Sequence, residues 1–193
     1  ALTAASSLEN STVKLLDNIS TTTSCIIDSG KFTIDLNGKT WQSSDVLLYI
    51  NGTSQIKICD SSENAGCLMT TSGDALIFLM DETKLEIESG NFSCTGNYIF
   101  NMSDSGMETS SELLISGGWF VGNSVASVAG RKATINGGEF DCAWGYPFEF
   151  LYGTLDLSNY KGASEMGFYV PDFIDASALE LILPESAIII NCS

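Results

Sequence analysis

The sequence contains no histidine. This excludes the Ser-His-Asp triad, the Cys-His pair and the histidine ligands of most zinc sites. Bases are also scarce, since 8 lysines and arginines face 24 acids for a formal net charge of −16. A chain with this charge repels nucleic acid, anionic membranes and acidic polysaccharides, so we expect none of these as a partner.

Proline is rare, with 3 residues, and several strong helix formers are scarce, so long helices are not expected. No run of about 18 apolar residues is present, and we therefore predict no membrane insertion. The 6 cysteines form no CxxC pair, which argues against a zinc ribbon or a thioredoxin motif. Because the chain begins at Ala1 and not at Met, we interpret it as a mature, processed chain or an excised fragment.

What the chain does have is an internal repeat. Four eight-residue segments align without gaps: 34–41 (IDLNGKTW), 85–92 (LEIESGNF), 113–120 (LLISGGWF) and 133–140 (ATINGGEF). Each has apolar residues at positions one and three, glycine or a small polar residue in the middle and an aromatic residue at position eight. Alternation with a period of two predicts a strand, and the glycines behind it predict a turn.

Weaker copies complete a series whose starts are residues 13, 34, 56, 85, 113, 133, 155 and 179. A second apolar segment follows each start, at 25–27, 46–50, 75–79, 98–100, 125–128, 148–150, 168–170 and 188–190. Two strand series with one shared period predict an all-β fold, a single-stranded parallel β-helix of about eight coils. We expect residues 1–12 to form an N-terminal cap or irregular segment and 13–193 to form the β-helix. The two longest spacings predict polar loops at 60–73 and 103–111.

The strings TIDLNGKTW, LLISGGWF and ATINGGEF resemble coils of the right-handed β-helix surface and adhesin-like proteins of the pectate-lyase-like superfamily. The resemblance covers about residues 13–190 and implies a right-handed β-helix. It implies no single activity, because that superfamily contains lyases, hydrolases, adhesins and inert stalks.

The second position of each repeat lies between two inward-facing positions and should point outward. It is occupied in turn by Lys14, Asp35, Lys57, Glu86, Leu114, Thr134, Asp156 and Glu180. The first four alternate in sign, which predicts exposed ion pairs between neighbouring coils, each worth about a few tenths of a kcal/mol. Such a stripe is more typical of a solvated face than of a binding site.

Two further positions predict the interior. The third position is aliphatic throughout and should form a core stack, comprising Leu15, Leu36, Ile58, Ile87, Ile115, Ile135, Leu157 and Leu181. The aromatic residues at position eight are Trp41, Phe92, Phe120 and Phe140. We favour a buried aromatic ladder at one corner over an exposed sugar-binding strip.

Three residues near turns, Trp119, Trp144 and Tyr146, are candidates for stacking on sugar rings, as is the neighbouring Tyr160. The alternative is packing against a corner of the coil. The acidic pairs Asp156 with Glu180, Glu86 with Glu88, and Asp172 with Asp175 could mimic a glycosidase dyad, but an acidic chain supplies such pairs by chance. We assign no catalytic, cofactor or metal-binding residue. The acidic stretches 60–63 and 104–108 could be calcium sites or solvated loops, and we favour solvated loops.

Cysteine and asparagine suggest covalent modification. Cys59 and Cys67 flank the first long spacing and could close it as a disulfide, or could remain unpaired. Six Asn-x-Ser/Thr triplets are candidate glycan acceptors in a secreted protein, or chance matches in a chain rich in these residues. They begin at Asn10, Asn18, Asn51, Asn91, Asn101 and Asn191.

The C-terminal stretch is among the most apolar of the chain and shows no cap. Its candidate assembly edge comprises Leu179, Leu181, Ile188, Ile189 and Ile190. This edge could continue a longer β-helix, pack on another domain, or join a second copy end to end. We therefore expect a non-enzymatic, secreted or cell-surface module with a structural or adhesive role, with no cofactor and with glycans as candidate ligands. The alternative is a carbohydrate-active β-helix, a lyase or hydrolase, or a carbohydrate-binding module.

Overall fold

A computed structural model of the chain describes residues 1–104, 107–162 and 166–185. It is nearly all parallel β-structure, with three parallel sheets whose strands alternate along the chain. The stacked coils form a β-solenoid of about seven turns, and this confirms the predicted fold class. A coil runs from sheet A through sheet B to sheet C and then enters sheet A of the next coil.

Sheet A has eight strands: β1 (Ser11–Lys14), β4 (Lys31–Asp35), β7 (Gln55–Cys59), β10 (Lys84–Ile87), β15 (Glu112–Ile115), β18 (Lys132–Ile135), β21 (Gly153–Asp156) and β23 (Leu179–Ile182). Sheet B has six strands: β2 (Ile19–Thr21), β5 (Thr40–Ser43), β8 (Cys67–Thr70), β11 (Asn91–Cys94), β16 (Trp119–Gly122) and β19 (Glu139–Cys142). Sheet C has seven strands: β3 (Cys25–Ile27), β6 (Leu48–Ile50), β9 (Ala75–Leu79), β12 (Tyr98–Asn101), β17 (Ser124–Val128), β20 (Phe148–Phe150) and β22 (Phe168–Tyr169).

Every repeat start predicted from the sequence lies in a strand of sheet A, so that ladder is confirmed. Seven of the eight second segments overlap strands of sheet C, and the eighth, 188–190, lies outside the described residues. Sheet B was not predicted as a ladder of its own. The chain enters these strands through the glycine turns, and the strands contain the position-eight aromatic residues. The polar residues beside these aromatic residues make the strand pattern hard to recognise in the sequence.

The interior contains an aromatic ladder and part of the predicted aliphatic stack, in which Ile58, Ile87, Ile115 and Ile135 lie opposite one another while Leu181 is only partly buried. Phe92 and Phe120 stack with ring centroids 5.0 Å apart, and Phe120 and Phe140 stack at 5.3 Å. Tyr160 extends the stack below Phe140 at 6.3 Å. Trp41 is also buried, but Leu68 is its partner in the next coil. The favoured interpretation, a core ladder, is therefore confirmed for Phe92 and Phe120. Phe140 joins the stack but is only partly buried, and Trp41 is buried but separated from Phe92 by Leu68.

In the coils of Phe120 and Phe140, the turn between sheets A and B has a glycine two residues before the aromatic residue. Gly118 and Gly138 have φ values of 108° and 109°, a left-handed backbone that side chains with a Cβ rarely adopt. A Cβ on Gly138 would lie 3.0 Å from the Phe140 ring and 3.1 Å from the Phe120 ring. The glycines of the repeat thus permit both the turn and the close stacking of the rings.

The register of sheet A differs from the sequence alignment at the second coil. Ile34 of β4 lies opposite Ile58 of β7, whereas the alignment placed it opposite Ile56. The expected neighbours Asp35 and Lys57 are therefore not opposite each other, and that part of the prediction is wrong. A shift of two residues keeps every side chain on the same face, so the alternating pattern alone cannot distinguish the two registers.

The same two-residue shift occurs at the last coil. Leu155 of β21 lies opposite Leu181 of β23, so Glu180 lies opposite Thr154 and not opposite Asp156. The Thr154 hydroxyl donates to the Glu180 carboxylate at 2.8 Å. The adjacent acidic pair that the alignment suggested for this coil is therefore wrong.

The loop expected at 60–73 is only partly a loop, because β8 (Cys67–Thr70) lies inside it and pairs with β5 and β11. The chain leaves the coil over 60–66. The Asp60 carboxylate closes this excursion by accepting from the backbone N–H groups of Gly38 at 2.9 Å and Ser62 at 3.1 Å, and from that of Gly66. The second predicted insertion contains a short antiparallel hairpin, β13 (Ser103–Asp104) with β14 (Met107–Glu108).

The two ends of the described rod have small helical elements. At the N-terminus, α1 (Leu2–Ala5) contacts β1, and Ala5 is buried against the core. Near the C-terminus, a 3-10 turn (Ala176–Ala178) precedes β23, and the Asp175 carboxylate caps it by accepting from the Ser177 N–H at 2.9 Å.

Candidate functional site

The outer face of sheet A is a ladder of ion pairs between neighbouring coils. Among the described residues the pairs are Lys14–Asp35 (3.4 Å), Lys57–Glu86 (3.4 Å), Lys57–Glu88 (2.6 Å), Lys84–Glu112 (2.9 Å), Arg131–Glu112 (3.4 Å) and Lys132–Asp156 (2.8 Å). The predicted pairs of opposite charge are thus confirmed for Lys14 with Asp35 and for Lys57 with Glu86. These ion pairs join the strands of neighbouring coils along this face.

A shallow groove of about 620 Å³ runs along the same face. The lysines lining it include Lys57, Lys84 and Lys132, whose ammonium groups already pair with carboxylates. Three of the four lysines that line the groove are therefore paired, and the fourth, Lys31, forms no ion pair among the described residues.

The carboxylates considered for glycosidase chemistry have structural partners instead. Glu86 and Glu88 share the Lys57 ammonium group. Asp156 pairs with Lys132, and this lysine, with hydrogen bonds from Ser158, holds the pKa of the Asp156 carboxyl below its usual value.

The strongest cluster of chemically distinctive side chains lies on the outer face of sheet C. Tyr98 meets Trp144 edge to face, with ring centroids 5.7 Å apart and an interplanar angle of 87°. Trp144 contacts Tyr146 at 5.9 Å, and Tyr146 contacts Tyr169 at 5.2 Å. The four rings therefore form one continuous chain of contacts. We name these four residues, together with Glu149, the aromatic cluster.

Glu149 connects the cluster across three strands. It lies in β20, opposite Ser127 of β17 and Tyr169 of β22. The Tyr98 hydroxyl, on β12, hydrogen-bonds to the Glu149 carboxylate. The two side chains belong to strands that flank β17, so the hydrogen bond crosses the intervening strand.

Two tyrosines of the cluster, Tyr98 and Tyr146, keep their protons. Burial raises the pKa of the Tyr98 phenol, and the hydrogen bond and charge of Glu149 raise it further. Burial also raises the pKa of Tyr146, with the charges of Glu149 and Tyr169 acting in the same direction. Because both phenols remain protonated in neutral water, both can donate hydrogen bonds.

Two of the aromatic residues singled out from the sequence, Trp144 and Tyr146, lie in the cluster. Trp119 does not: it lies on sheet B opposite Asn91 and Glu139, with 47 % of its surface exposed. Tyr160 is part of the core ladder, where it stacks on Phe140.

Three members of the cluster were missed from the sequence: Tyr98, Glu149 and Tyr169. A signal for two of them was present, because FEF at 148–150 and FYV at 168–170 alternate apolar side chains with one outward residue. Aligning these strands puts Glu149 and Tyr169 in one outward row. Tyr98 joins the cluster through the hydrogen bond from its hydroxyl to Glu149 across β17, and no local sequence pattern predicts that bond.

The candidate glycan acceptors occupy different environments. Asn10 and Asn18 are exposed, whereas Asn51, Asn91 and Asn101 are half-buried. The Asn51 side-chain amide donates to Asp28 at 2.9 Å. Asn191 lies outside the described residues.

The cysteines considered for a disulfide are separate thiols. Cys59 ends β7 on sheet A, and Cys67 begins β8 on sheet B. Both are free in the structure, so the suggested bond is not formed there. Burial raises the pKa of both thiols, which makes them poor nucleophiles.

The candidate assembly edge is described only in part. Leu179 and Leu181 of β23 are partly buried against the core, and β21 is the strand that pairs with β23. Ile188, Ile189 and Ile190 lie outside the described residues. Their contribution to an edge stays a prediction.

No family model, curated protein or solved structure matches the chain. Within the described ranges, no helix is long and apolar enough to cross a membrane. Also within them, no group of three or more Cys, Asp or Glu side chains could hold a metal ion. At 60–63, the Asp60 carboxylate is occupied by backbone N–H donors, while the side chains of 104–108 lie outside the described part.

Proposed function

We propose that this protein is a non-catalytic, extracellular structural or adhesive β-helix module. The observation that carries the proposal is the ion-pair ladder of sheet A. Six of the eight bases in the sequence take part in it or lie in its strands, in a chain with a net charge of −16. Bases used in this way stabilise a rod and leave few for chemistry on a substrate.

Adhesion is supported by the shape of the exposed surface. Outward side chains of a β-solenoid repeat at about 4.8 Å from coil to coil, so a face presents a long, regular array. On sheet C this array contains the aromatic cluster, in which Trp144 retains 39 % exposure. Exposed aromatic groups on a rigid scaffold are typical of recognition surfaces.

The alternative is a carbohydrate-active β-helix. The aromatic cluster supports this alternative as a carbohydrate-binding module more than as an enzyme. Glycosidases act with two carboxylates about 5 to 10 Å apart. Glu149 is the one acid in the strands of sheet C, and four of the five carboxylates in the strands of sheet A pair with lysines. A carbohydrate-binding module therefore ranks above a lyase or hydrolase.

If the role of the protein is structural, we propose that molecules assemble end to end. The partner would be a continuing β-helix or a second copy, docked on the open side of β23. Negative-stain electron microscopy over a range of concentration and salt tests it. Rods that lengthen in steps of one molecule support assembly, and single short particles throughout contradict it.

The enzymatic alternative is tested on the same preparation. The purified chain is incubated with neutral and acidic polysaccharides, and released reducing ends are measured alongside retention on the immobilised polymers. We expect retention or rod assembly without release. Sustained release of reducing ends, absent from a Glu149→Gln preparation, would overturn the non-catalytic proposal.

A further inference from the structure

The geometry of the aromatic cluster points to a binding site for an uncharged glycan, on the outer face of sheet C and apart from the ion-pair ladder. This inference rests on the proposed adhesive function and specifies its ligand. The site comprises Tyr98, Trp144, Tyr146, Glu149 and Tyr169. The argument has three parts: the aromatic surface, the charge of the face, and the hydrogen-bonding groups.

The aromatic surface matches a pyranose ring. Sugars present a face of C–H groups that packs on an aromatic ring, while their hydroxyls remain at the edge. The contacts from Tyr98 through Trp144 and Tyr146 to Tyr169 join rings from two strands and one turn into a single surface. Such a surface suits a chain of linked sugars better than a single small ligand, because it spans several coils.

The charge of the face selects against charged sugars of either sign. The strands of sheet C contain no lysine or arginine, and Glu149 is their one acid. No base among the described residues pairs with Glu149, so nothing near it would balance a uronate or sulfate. The long-range field of a chain with a net charge of −16 acts in the same direction.

A cationic sugar would meet one carboxylate, Glu149, and no second acid in the strands of sheet C. The Tyr98 hydroxyl donates to Glu149, and this bond leaves the remaining lone pairs of the carboxylate to accept from neutral hydroxyls. The protonated phenol of Tyr146 adds a donor at the same surface. Aromatic faces with a carboxylate and phenolic donors are the groups that recognise an uncharged sugar in proteins.

The experiment measures binding of fluorescent hexasaccharides by the wild-type chain and its variants. The probes are β-1,4-linked glucose, xylose and mannose hexamers, with a galacturonate hexamer and a glucosamine hexamer as charged comparisons. We expect at least one neutral hexamer to bind, and Trp144→Ala and Tyr169→Ala each to weaken it by about tenfold or more.

Trp119→Ala is the matched control, because it removes an exposed tryptophan that lies on sheet B outside the cluster. It should change the affinity less than twofold, and thermal unfolding of each variant checks that the fold is intact. Equal losses for Trp119→Ala and Trp144→Ala would overturn the site.

Other outcomes separate this inference from the proposed function. If the chain is retained on other surfaces or forms rods but binds none of the neutral hexamers, the glycan site is wrong and the proposed function stands. If a charged hexamer binds tighter than every neutral one, the ligand class is wrong. If there is neither retention, assembly nor hexamer binding, both proposals fail.

Discussion

Sheets A and C are built on the same coils, yet their outer faces differ in chemistry. The strands of sheet A contain five bases and five acids, whereas those of sheet C contain no base and one acid. Inward positions on both are aliphatic or aromatic and almost fully buried. The comparison shows that the core of a β-solenoid constrains only alternate residues, so each outer face is free to specialise.

The difference also locates the net charge of the protein. Since the charges within the strands of sheet A balance, the excess of acids resides mainly in the turns. Many of these acids are short side chains that bond to nearby backbone, as Asp60 does with Gly38 and Ser62. Acidic residues in the turns thus bond to the local backbone, and the outer face of the strands of sheet C, with Glu149 as their one acid, remains nearly uncharged.

The largest expected effect concerns the core that both faces share. Phe120 stacks between Phe92 and Phe140 and is fully buried. Phe120→Ala should reduce the free energy of unfolding by about 3–5 kcal/mol, because it leaves a cavity in the middle of the ladder. Chemical denaturation measures this.

Trp119→Ala provides the control in the adjacent position, since Trp119 points outward from the same strand. Its cost should stay below about 1 kcal/mol. A comparable loss for both variants would mean that the two residues do not differ in burial, and would contradict the assignment of inside and outside in sheet B.

The sequence predicts this alternation well but the pairing of coils less well. Apolar residues at positions one and three place Ile34 and Ile58 inside without ambiguity, and both are buried. Which one pairs with which depends on turn length, and a two-residue slip preserves the pattern. The predicted ion pairs of sheet A depend on the same register. The pair of Lys14 with Asp35 was therefore predicted correctly, whereas the pair of Asp35 with Lys57 was not.

The aromatic cluster was less accessible from the sequence for a related reason. Trp144 and Tyr146 are noticeable as aromatic residues in a turn, but Tyr98 lies about 45 residues earlier. It joins them only because coils stack, which lets its hydroxyl reach Glu149 across β17. A contact made across a whole intervening coil has no local signature.

The second prediction concerns the loop at 60–66, where the chain leaves the coil after β7 of sheet A. The Asp60 carboxylate accepts from three backbone N–H groups that would otherwise lack partners. Asp60→Ala should cost about 2–3 kcal/mol, since hydrogen bonds to a charged group are lost and buried donors are left unpaired. Urea denaturation measures the cost, and hydrogen exchange at Ser62 and Gly66 should accelerate.

Asp60→Asn is the matched control, because its amide oxygen can still accept but has no charge. It should cost roughly half as much as the alanine variant. An unchanged stability for Asp60→Ala would show that the loop does not depend on this residue.

The third prediction separates the faces by pH. Burial works to raise the pKa of the Asp35 carboxyl, but hydrogen bonds from Ser61, Asn37 and Lys14 outweigh it and lower the pKa below the ordinary 3.8. Stability from Asp35 is therefore full above about pH 4 and is lost as the pH falls through the folded-state pKa. Tyr98 behaves oppositely: its raised pKa gives stability that is full below its ordinary value of 10.0 and is lost as the pH rises above it.

Two variants test this assignment. Asp35→Asn should flatten the acid limb of a plot of unfolding free energy against pH and leave the alkaline limb unchanged. Tyr98→Phe should flatten the alkaline limb while costing about 1 kcal/mol at pH 7, because Glu149 loses a donor. Effects on the opposite limbs, or on both limbs equally, would contradict the separation of the two faces.

The smallest expected effect tests whether the ion pairs of sheet A contribute at all beyond general charge. Lys132→Met removes the partner of Asp156, and Lys161→Met removes an exposed lysine that forms no ion pair among the described residues. Both variants raise the net negative charge equally, so their difference isolates the pair. We expect Lys132→Met to be less stable by about 0.2–1 kcal/mol in low salt, and the difference to shrink in about 1 M salt as screening increases. Equal stabilities in low salt would show that the lysines of this face act only by lowering the net charge, and the ladder would then be a consequence of the coil stacking and not a cause of its stability.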